Sequence, residues 1–442
     1  MPVSIATARE ISRLCDEPSW LLESRVQASD LFDKLPIEKS SLYTRQTDLR
    51  GINLLDFDPL GIVSERSFKA ESESTTTASG NCITILAGKV TEQHLSQQLV
   101  NNGVFFGDLY SSLAQQPNLI KPVLVDKAIA PDDDKFAAYN QAFYNSALVL
   151  HVPKGLVVND PFRIRYFMDD SEKAVVSRIF VVAEPESQMT LLLEEYSKSS
   201  TPASNSLYSN SVELHVGEGA RIWFQELQNT DERTIVLTNR KCRCRRDSHV
   251  SWTIGYMGGA YTKSRIDSDL LGEGSTSEEM EVVFGTREQK FDLNSNVTHI
   301  APHTKSEIIS RGVLRDTART IFKGMLRIGK DARGADSFLA EHAMLLNPQA
   351  RADSIPALEI ATNEVKASHS ASVAQIEEEQ IFYLMSRGIP ENEAEKLIIL
   401  AFLEPAVRRI PVEEVKTALV DLVEKKWTSN TNSLPEENTR MK

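Results

Sequence analysis

The sequence predicts a mainly β chain, built as a parallel β-helix with α-helical segments before and after it. Three features predict this. From Ala147 onward short apolar or alternating runs follow one another: "ALVLHVPKGLVV", "SRIFVVAEP", "MTLLLEEYS", "SVELHVGEGARIWFQEL", "SWTIGYMGG" and "EEMEVVFGT". Each is bounded by Gly, Pro, Asn, Asp or Ser. No helix-length periodic run interrupts them, which removes the βαβ folds, whose parallel strands need helical crossovers. The hairpin dipeptides of an antiparallel sandwich are nearly missing too, the one Asn-Gly (residues 102–103) lying before this region. Finally, a small residue followed by Arg recurs at Ala318-Arg319, Ala332-Arg333 and Ala350-Arg351, at intervals of 14 and 18 residues, with about 15 more to Val365. "GEGA" at 217–220 and "GEGS" at 272–275 punctuate earlier strands in the same way. Irregular repeats of strand and tight corner fit stacked coils better than a sandwich.

Residues 1–145 read as an N-terminal helical domain. Thr7 is placed to cap a helix over Ala8–Cys15. "PSWLLESRVQASDLFDKLP" opens on Pro18 and stops before Pro36, with Leu21, Leu22, Val26, Leu31, Phe32 and Leu35 along a rough stripe. The stretch 64–81, "SERSFKAESESTTTASGN", is polar and reads as a mobile loop. Helical pieces then recur in "EQHLSQQLVNN" and "DDDKFAAYNQAFYNS". The β-helix is expected over 146–375. From Ile376 the pattern is helical again: "EEEQIFYLMSRG" carries Glu residues in its first turn, Arg387 in its last and Gly388 as its stop. "PENEAEKLIILAFLEPAVRRI" and "PVEEVKTALVDLVEKKWTS" complete a C-terminal helical domain over 376–429, and 430–442 reads as a disordered tail.

Composition bounds the function. A net charge of −13 argues against a nucleic-acid partner, which needs a basic footprint. No apolar run approaches the ~18 residues of a membrane helix. The first twenty residues lack an apolar core and carry Glu10, Asp16 and Glu17, so no secretory signal or transit peptide is expected and the cytoplasm is the expected location. Four cysteines are too few for a disulfide framework. On a strand, Cys242 and Cys244 share one face and Lys241, Arg243 and Arg245 the other. The pair reads as two small thiols packed inside, since a metal or sulfur site would need a second ligand pair. His299 and His303 in "THIAPH" read as surface histidines, and His342 as an outward residue of an alternating strand.

No phosphate-binding glycine loop, nucleophile elbow or zinc-protease motif occurs, and no catalytic residue is assigned. A β-solenoid lyase or carbohydrate-binding protein is the alternative that the fold invites. Asp331, Asp336, Asp353 and Glu359 are scattered, however, without the pairing that such chemistry uses. There remains His369 in "EVKASHSASVAQIEEEQIFYLMSRGI", set among Ala367, Ser368, Ser370 and Ala371 where strand texture turns helical. By residue chemistry alone it reads as the polar cap of an exposed last coil. A metal ligand with room for a partner is the other reading.

That stretch, with "LEI" before it and "FLEPAVRRIP" after it, resembles the C-terminal signature of the SufB/SufD family of iron–sulfur cluster scaffold proteins. "FAAYNQAFYNSALVLHVPKGLVVNDP" is similar to the family's entry into its β-helix. Ala350 stands where the SufB branch has a sulfur-accepting cysteine, and no cysteine follows Cys244, so the resemblance is to the SufD branch. It implies a right-handed parallel β-helix between helical domains and a non-catalytic role in cluster assembly and iron acquisition. It also implies pairing with a SufB-like paralogue and docking of a SufC-like ABC ATPase; the exposed end of a solenoid is itself a pairing edge, so a homodimer is expected in isolation. His369 is implied as the candidate ligand for iron or cluster at the SufB interface, and some members carry a cysteine where this chain has Ala367. The implied ATPase-docking region includes Glu379, Tyr383, Arg387, Gly388, Phe402, Glu404 and Pro405. No stably bound cofactor is implied for this chain alone, only a nascent cluster at a shared interface.

Overall fold

The computed structural model of the chain describes residues 3–39, 52–61, 80–168, 174–197, 205–410 and 412–431. Nineteen strands follow in order: β1 (Asn81–Leu86), β2 (Lys89–His94), β3 (Phe105–Asp108), β4 (Ser146–Val152), β5 (Phe162–Met168), β6 (Ala174–Ala183), β7 (Gln188–Ser197), β8 (Ser206–Val216), β9 (Arg221–Asn229), β10 (Thr234–Cys244), β11 (His249–Tyr256), β12 (Tyr261–Leu270), β13 (Thr276–Gly285), β14 (Lys290–His299), β15 (Lys305–Leu314), β16 (Arg319–Ile328), β17 (Ala335–Leu345), β18 (Arg351–Ile360) and β19 (Val365–Gln375). They form two sheets. Odd strands from β5 to β19 stack in one and even strands from β4 to β18 in the other, each parallel to its neighbours. The chain therefore alternates sheets, and the fold is the expected parallel β-helix.

One coil holds two strands. Arg319 stacks on Lys290, which stacks on Tyr261, a spacing of 29 residues per turn here. The 14- to 18-residue interval in the sequence is thus half a coil, because strands of the two sheets carry the same pattern. Among the described residues three strands precede residue 146: β1 joins the ten-stranded sheet beside β5, with β2 hairpinned onto it, and β3 pairs antiparallel with β4. β2 takes in part of "EQHLSQQLVNN", whose helix is only Gln97–Asn101.

Between the sheets lies a continuous apolar core that includes Leu191, Phe224, Trp252, Ile254, Leu293, Phe322 and Leu339. Its residues alternate with outward ones, as strand geometry requires. The helices cover the outer faces. At the N-terminal side Ile5–Leu14 begins three residues earlier than Thr7 capping would place it, and the Thr7 hydroxyl instead accepts from the Ser4 amide at 3.2 Å. Ser19–Lys34 packs on Lys135–Phe143, through edge contacts of Phe32 with Tyr139 and Phe143. Asp134 caps the latter helix by accepting from Phe136 N at 2.8 Å and Ala137 N at 2.7 Å. Beneath these helices Arg25 is fully buried. It is matched by Glu17 at 2.7 Å and stacked 3.4 Å over the Tyr144 ring, the pairing that a buried guanidinium requires. This cluster rests on outward residues of the nine-stranded sheet such as Val149, Val176 and Leu207.

Three helices, Glu378–Ser386, Glu391–Val407 and Glu413–Thr431, follow the last strand. Ile399, Leu403, Leu419, Val423 and Trp427 pack on Leu227, Met257, Val282, Phe284 and Val313, outward residues of the ten-stranded sheet. Lys426 is sunk into that seam, donating to the carbonyls of Met257 (2.5 Å) and Phe284 (2.6 Å) and to Gln289 Oε1 (2.7 Å). Burial pushes its ammonium down to about 7. The expected loop at 64–81 falls largely outside the described residues, which resume at Gly80 with Asn81 opening β1; of the expected tail at 430–442, Asn430 and Thr431 instead end the last helix and the rest lies outside the described residues. Among the described residues no helix is long and apolar enough to cross a membrane.

The inward cysteine reading holds. Cys242 and Cys244 are fully buried with their sulfurs 3.7 Å apart, while Lys241 reaches Asp269 and Arg243 reaches Asp126 on the outer side. The reading of His299 as a surface residue does not hold. It shares the inward parity of Leu293 and Val297 and is fully buried, its ring nitrogens 2.8 Å from Thr304 Oγ1 and 2.9 Å from Ser306 Oγ. Burial pushes it down to about 4. His303 is exposed, at a corner with φ of +57°. His342 is outward but half-buried, its Nδ1 2.6 Å from Ser372 Oγ.

Candidate functional site

The last coil differs from every coil before it. In β14, for example, seven of ten residues are buried, while none of β18 or β19 is buried. β18 and β19 each pair on one side only, at the ends of the two sheets. β18 carries Pro356, which offers no donor and so suits an edge. β19 has no proline across its eleven residues and leaves a full row of backbone groups along its outer edge.

Register fixes where each side chain of β19 points. His369 pairs with Leu339, Ala371 with Glu341 and Val373 with Ala343. Leu339 and Ala343 belong to the interior core, so His369 occupies an inward column and is exposed only because no further coil covers it. Its neighbours along the column direction are small: Ala367 and Val365 pack at the corner on Ile328, Ala332 and Ala335. An imidazole at the open mouth of the lumen, flanked by serines and alanines, can accept a metal ion or a proton without steric hindrance. Among the described residues no group of three or more His, Cys, Asp or Glu side chains is arranged to hold a metal ion, so His369 could act only as one ligand of a set completed from outside.

The helix Glu378–Ser386 follows within three residues of β19. Only Ile381 is buried; Phe382 is 72 % exposed, Tyr383 57 % and Met385 42 %. Arg387 lies 5.3 Å over the Tyr383 ring, and Gly388 closes the helix at φ +90°, as the stop signal required. Glu379, Tyr383 and Arg387, at four-residue spacing, thus form one exposed stripe. The structure separates Phe402 from them. Phe402 is half-buried under Arg311, whose guanidinium sits 5.1 Å over its ring and donates to its carbonyl at 2.8 Å, so this residue belongs to the seam with the solenoid. Glu404 is exposed and Pro405 half-buried in the same helix. Phe382 and Met385, with Leu397 at 45 % exposed, were not singled out by sequence reasoning. Their signal was an apolar face on a short helix whose single buried residue leaves that face without a core to fill.

Two family models match. One, described as SUF system FeS cluster assembly, SufBD core domain, covers residues 166–402; the other, SufBD protein N-terminal region, covers residues 21–164. The chain is 29% identical over 425 residues to the iron–sulfur cluster assembly protein SufD of Bacillus subtilis, covering 95% of this chain and 96% of that protein. It is 26% identical over 430 residues to an iron–sulfur cluster assembly SufBD family protein of Staphylococcus haemolyticus, covering 92% and 89%. A Staphylococcus epidermidis protein of the same description is 26% identical over 424 residues.

Proposed function

Because the chain belongs to the SufBD family of iron–sulfur cluster assembly proteins, we propose that it is a non-catalytic scaffold subunit, on which a cluster forms at an interface shared with a cysteine-bearing SufB-like paralogue. The observation that carries this reading is the open last coil. An eleven-residue edge strand, small inward residues and an exposed His369 lie where every earlier coil is closed. A second solenoid set against β18 and β19 would satisfy the free backbone row and supply thiolates to a site where this chain offers only an imidazole. The nascent cluster is cargo of that interface, and iron enters through it.

The helix Glu378–Ser386, with Phe382, Tyr383 and Arg387, docks a SufC-like ATPase. An exposed aromatic pair beside a cation is the kind of anchor that dominates binding energy. Nucleotide-driven movement of the ATPase would act on the last coil from three residues away, provided the two states bind this helix differently. The complex works in the cytoplasm. The family assignment, rather than any missing carboxylate pair, sets the lyase reading aside. The same free edge also favours a second copy of this chain as the partner in isolation.

Co-expression with the paralogue and the ATPase tests both surfaces. Ala371→Trp on the last coil should release the paralogue and keep the ATPase, and Phe382→Asp should do the reverse. Retention of both partners by both variants would refute the assignment of surfaces.

A further inference from the structure

Strand β17 fills its inward column with Ala335, Ser337, Leu339, Glu341 and Ala343. The glutamate is out of place there. It is 2 % exposed, next to Leu339 in the interior core, where an aliphatic side chain would fill the space without desolvating a carboxyl group. The surroundings are shaped for it. Across the lumen Gly324 has no side chain, and a Cβ there would stand 2.4 Å from Leu339 Cδ2 and 2.7 Å from Glu341 Oε1. Ser354 of β18 donates to Oε2. Above it the last coil offers only the methyl group of Ala371, two positions and roughly 6–7 Å along β19 from His369. No hydrogen bond joins Glu341 to His369 among the described residues.

Below it, polar groups continue into the solenoid. Ser310, the register partner one coil down, donates to Glu281 Oε2 at 2.7 Å, and Ser295 donates to the same oxygen at 3.0 Å. Tyr256 OH reaches Glu281 Oε1 at 3.2 Å and Ser264 Oγ at 2.7 Å. Ser264 accepts from Arg240 at 2.8 Å, and Arg240 clamps Glu226 at 2.7 Å. The titratable groups on the inner face are thus Glu279 and Glu281 of β13 and Tyr256 of β11 below and His369 above, with the inward cation Arg240 already engaged by Glu226. Burial, opposed by the Ser354 bond and reinforced by the Glu281 charge, pushes Glu341 up to about 7.

We propose that Glu341 is the proton acceptor of the last-coil site, taking up the proton that a partner thiol releases when it binds metal beside His369. The proposal rests on the reading of the last coil given above. The step balances. A thiol–metal bond forms as the S–H bond breaks, the electron pair of that bond stays on sulfur, and the proton converts the Glu341 carboxylate to a carboxylic acid, with no change of oxidation state. A site closed between two solenoids has little water to carry this proton, and metal ligands must lose theirs before they bind.

The test uses the complex of the full chain with its paralogue and ATPase, supplied with ferrous iron and sulfide, and follows cluster formation against pH. The wild type should speed up as pH rises through about 7. Glu341→Gln should be about a hundredfold slower and lose that rise, and Glu341→Asp should restore part of both. A Glu341→Gln complex that assembles clusters at the wild-type rate with the wild-type pH profile, while His369→Ala does not, overturns the inference and leaves the scaffold reading intact. Should His369→Ala also be silent, the last-coil reading itself falls. If Glu341→Gln fails to fold, infrared titration of the wild-type chain against Glu341→Asp decides, because Glu195, Glu279 and Glu281 are buried carboxyls too. A carboxyl stretch that fades as pH passes about 7 in the wild type and is shifted in Glu341→Asp supports the inference, and a stretch that the substitution leaves unaltered overturns it.

Discussion

The coil of β11 and β12 and the coil of β18 and β19 are built on the same parallel ladder, yet their side chains do opposite work. In the first, Trp252 is sealed inside with its ring edge-on to Phe224 at 5.1 Å, and its Nε1 donates to Ser268 Oγ at 3.1 Å. In the second, the same inward column ends in an exposed histidine. The backbone ladder therefore holds strand geometry in both, while interior filling supplies stability only to the first. A coil freed from the core's packing demand can carry an exposed histidine in the column that the two coils below fill with Leu339 and Ile308.

The largest effect that separates the two regions is a cavity. Trp252→Ala should destabilise the fold by about 3–5 kcal/mol in denaturant titration. Val373→Ala on the last coil, already 43% exposed, should change it by less than about 0.5 kcal/mol. Equal losses would break the distinction between filled and open coils.

Next in size is the histidine sealed inside an earlier coil. His299 is held well below the ordinary imidazole value, at about 4, so the fold prefers its neutral form. Its contribution is fully present above about 6.5 and is lost as pH falls toward about 4, at up to about 1.4 kcal/mol per pH unit. His299→Gln should remove that acid loss. Glu341 acts in the other direction. Its raised value means stability is fully present below about 4.5 and declines as pH rises toward about 7, a decline that Glu341→Gln should lessen.

Smallest on the fold, within about 0.5 kcal/mol in thermal melts, are the surface changes Ala371→Trp and Phe382→Asp, whose effects should appear in partner retention instead. A large loss of stability from either would mean that the last coil or the exposed helix contributes to folding after all.

Much of this was legible in the sequence. Period-two alternation marked the strands, and the helix over Glu378–Ser386 announced its ends through acidic first-turn residues and Gly388. The two-strand coil was not legible, because strands of both sheets bury the same inward face and leave the same signature. His299 was misread because "HIAPH" contains a corner, and parity had to be carried from Val297 into that corner to see that the ring turns inward. At the site, the Tyr383–Arg387 stripe follows from helical spacing alone. Which face of Glu391–Val407 meets the solenoid does not, since Arg311, ninety-one residues before Phe402, decides it. Glu341 was invisible for the same reason: only the register that stacks it under Ala371 and beside Gly324 distinguishes it from any outward glutamate.

The central claim is that the last coil completes a cluster site through His369. The most direct measurement is the iron and acid-labile sulfide content of the co-purified complex carrying His369→Ala. Subunit recovery and melting temperature should match the wild type, while iron and sulfide should fall about tenfold, the loss expected when one ligand of a set is removed. A complex that keeps its full iron and sulfide content without the imidazole would contradict the claim.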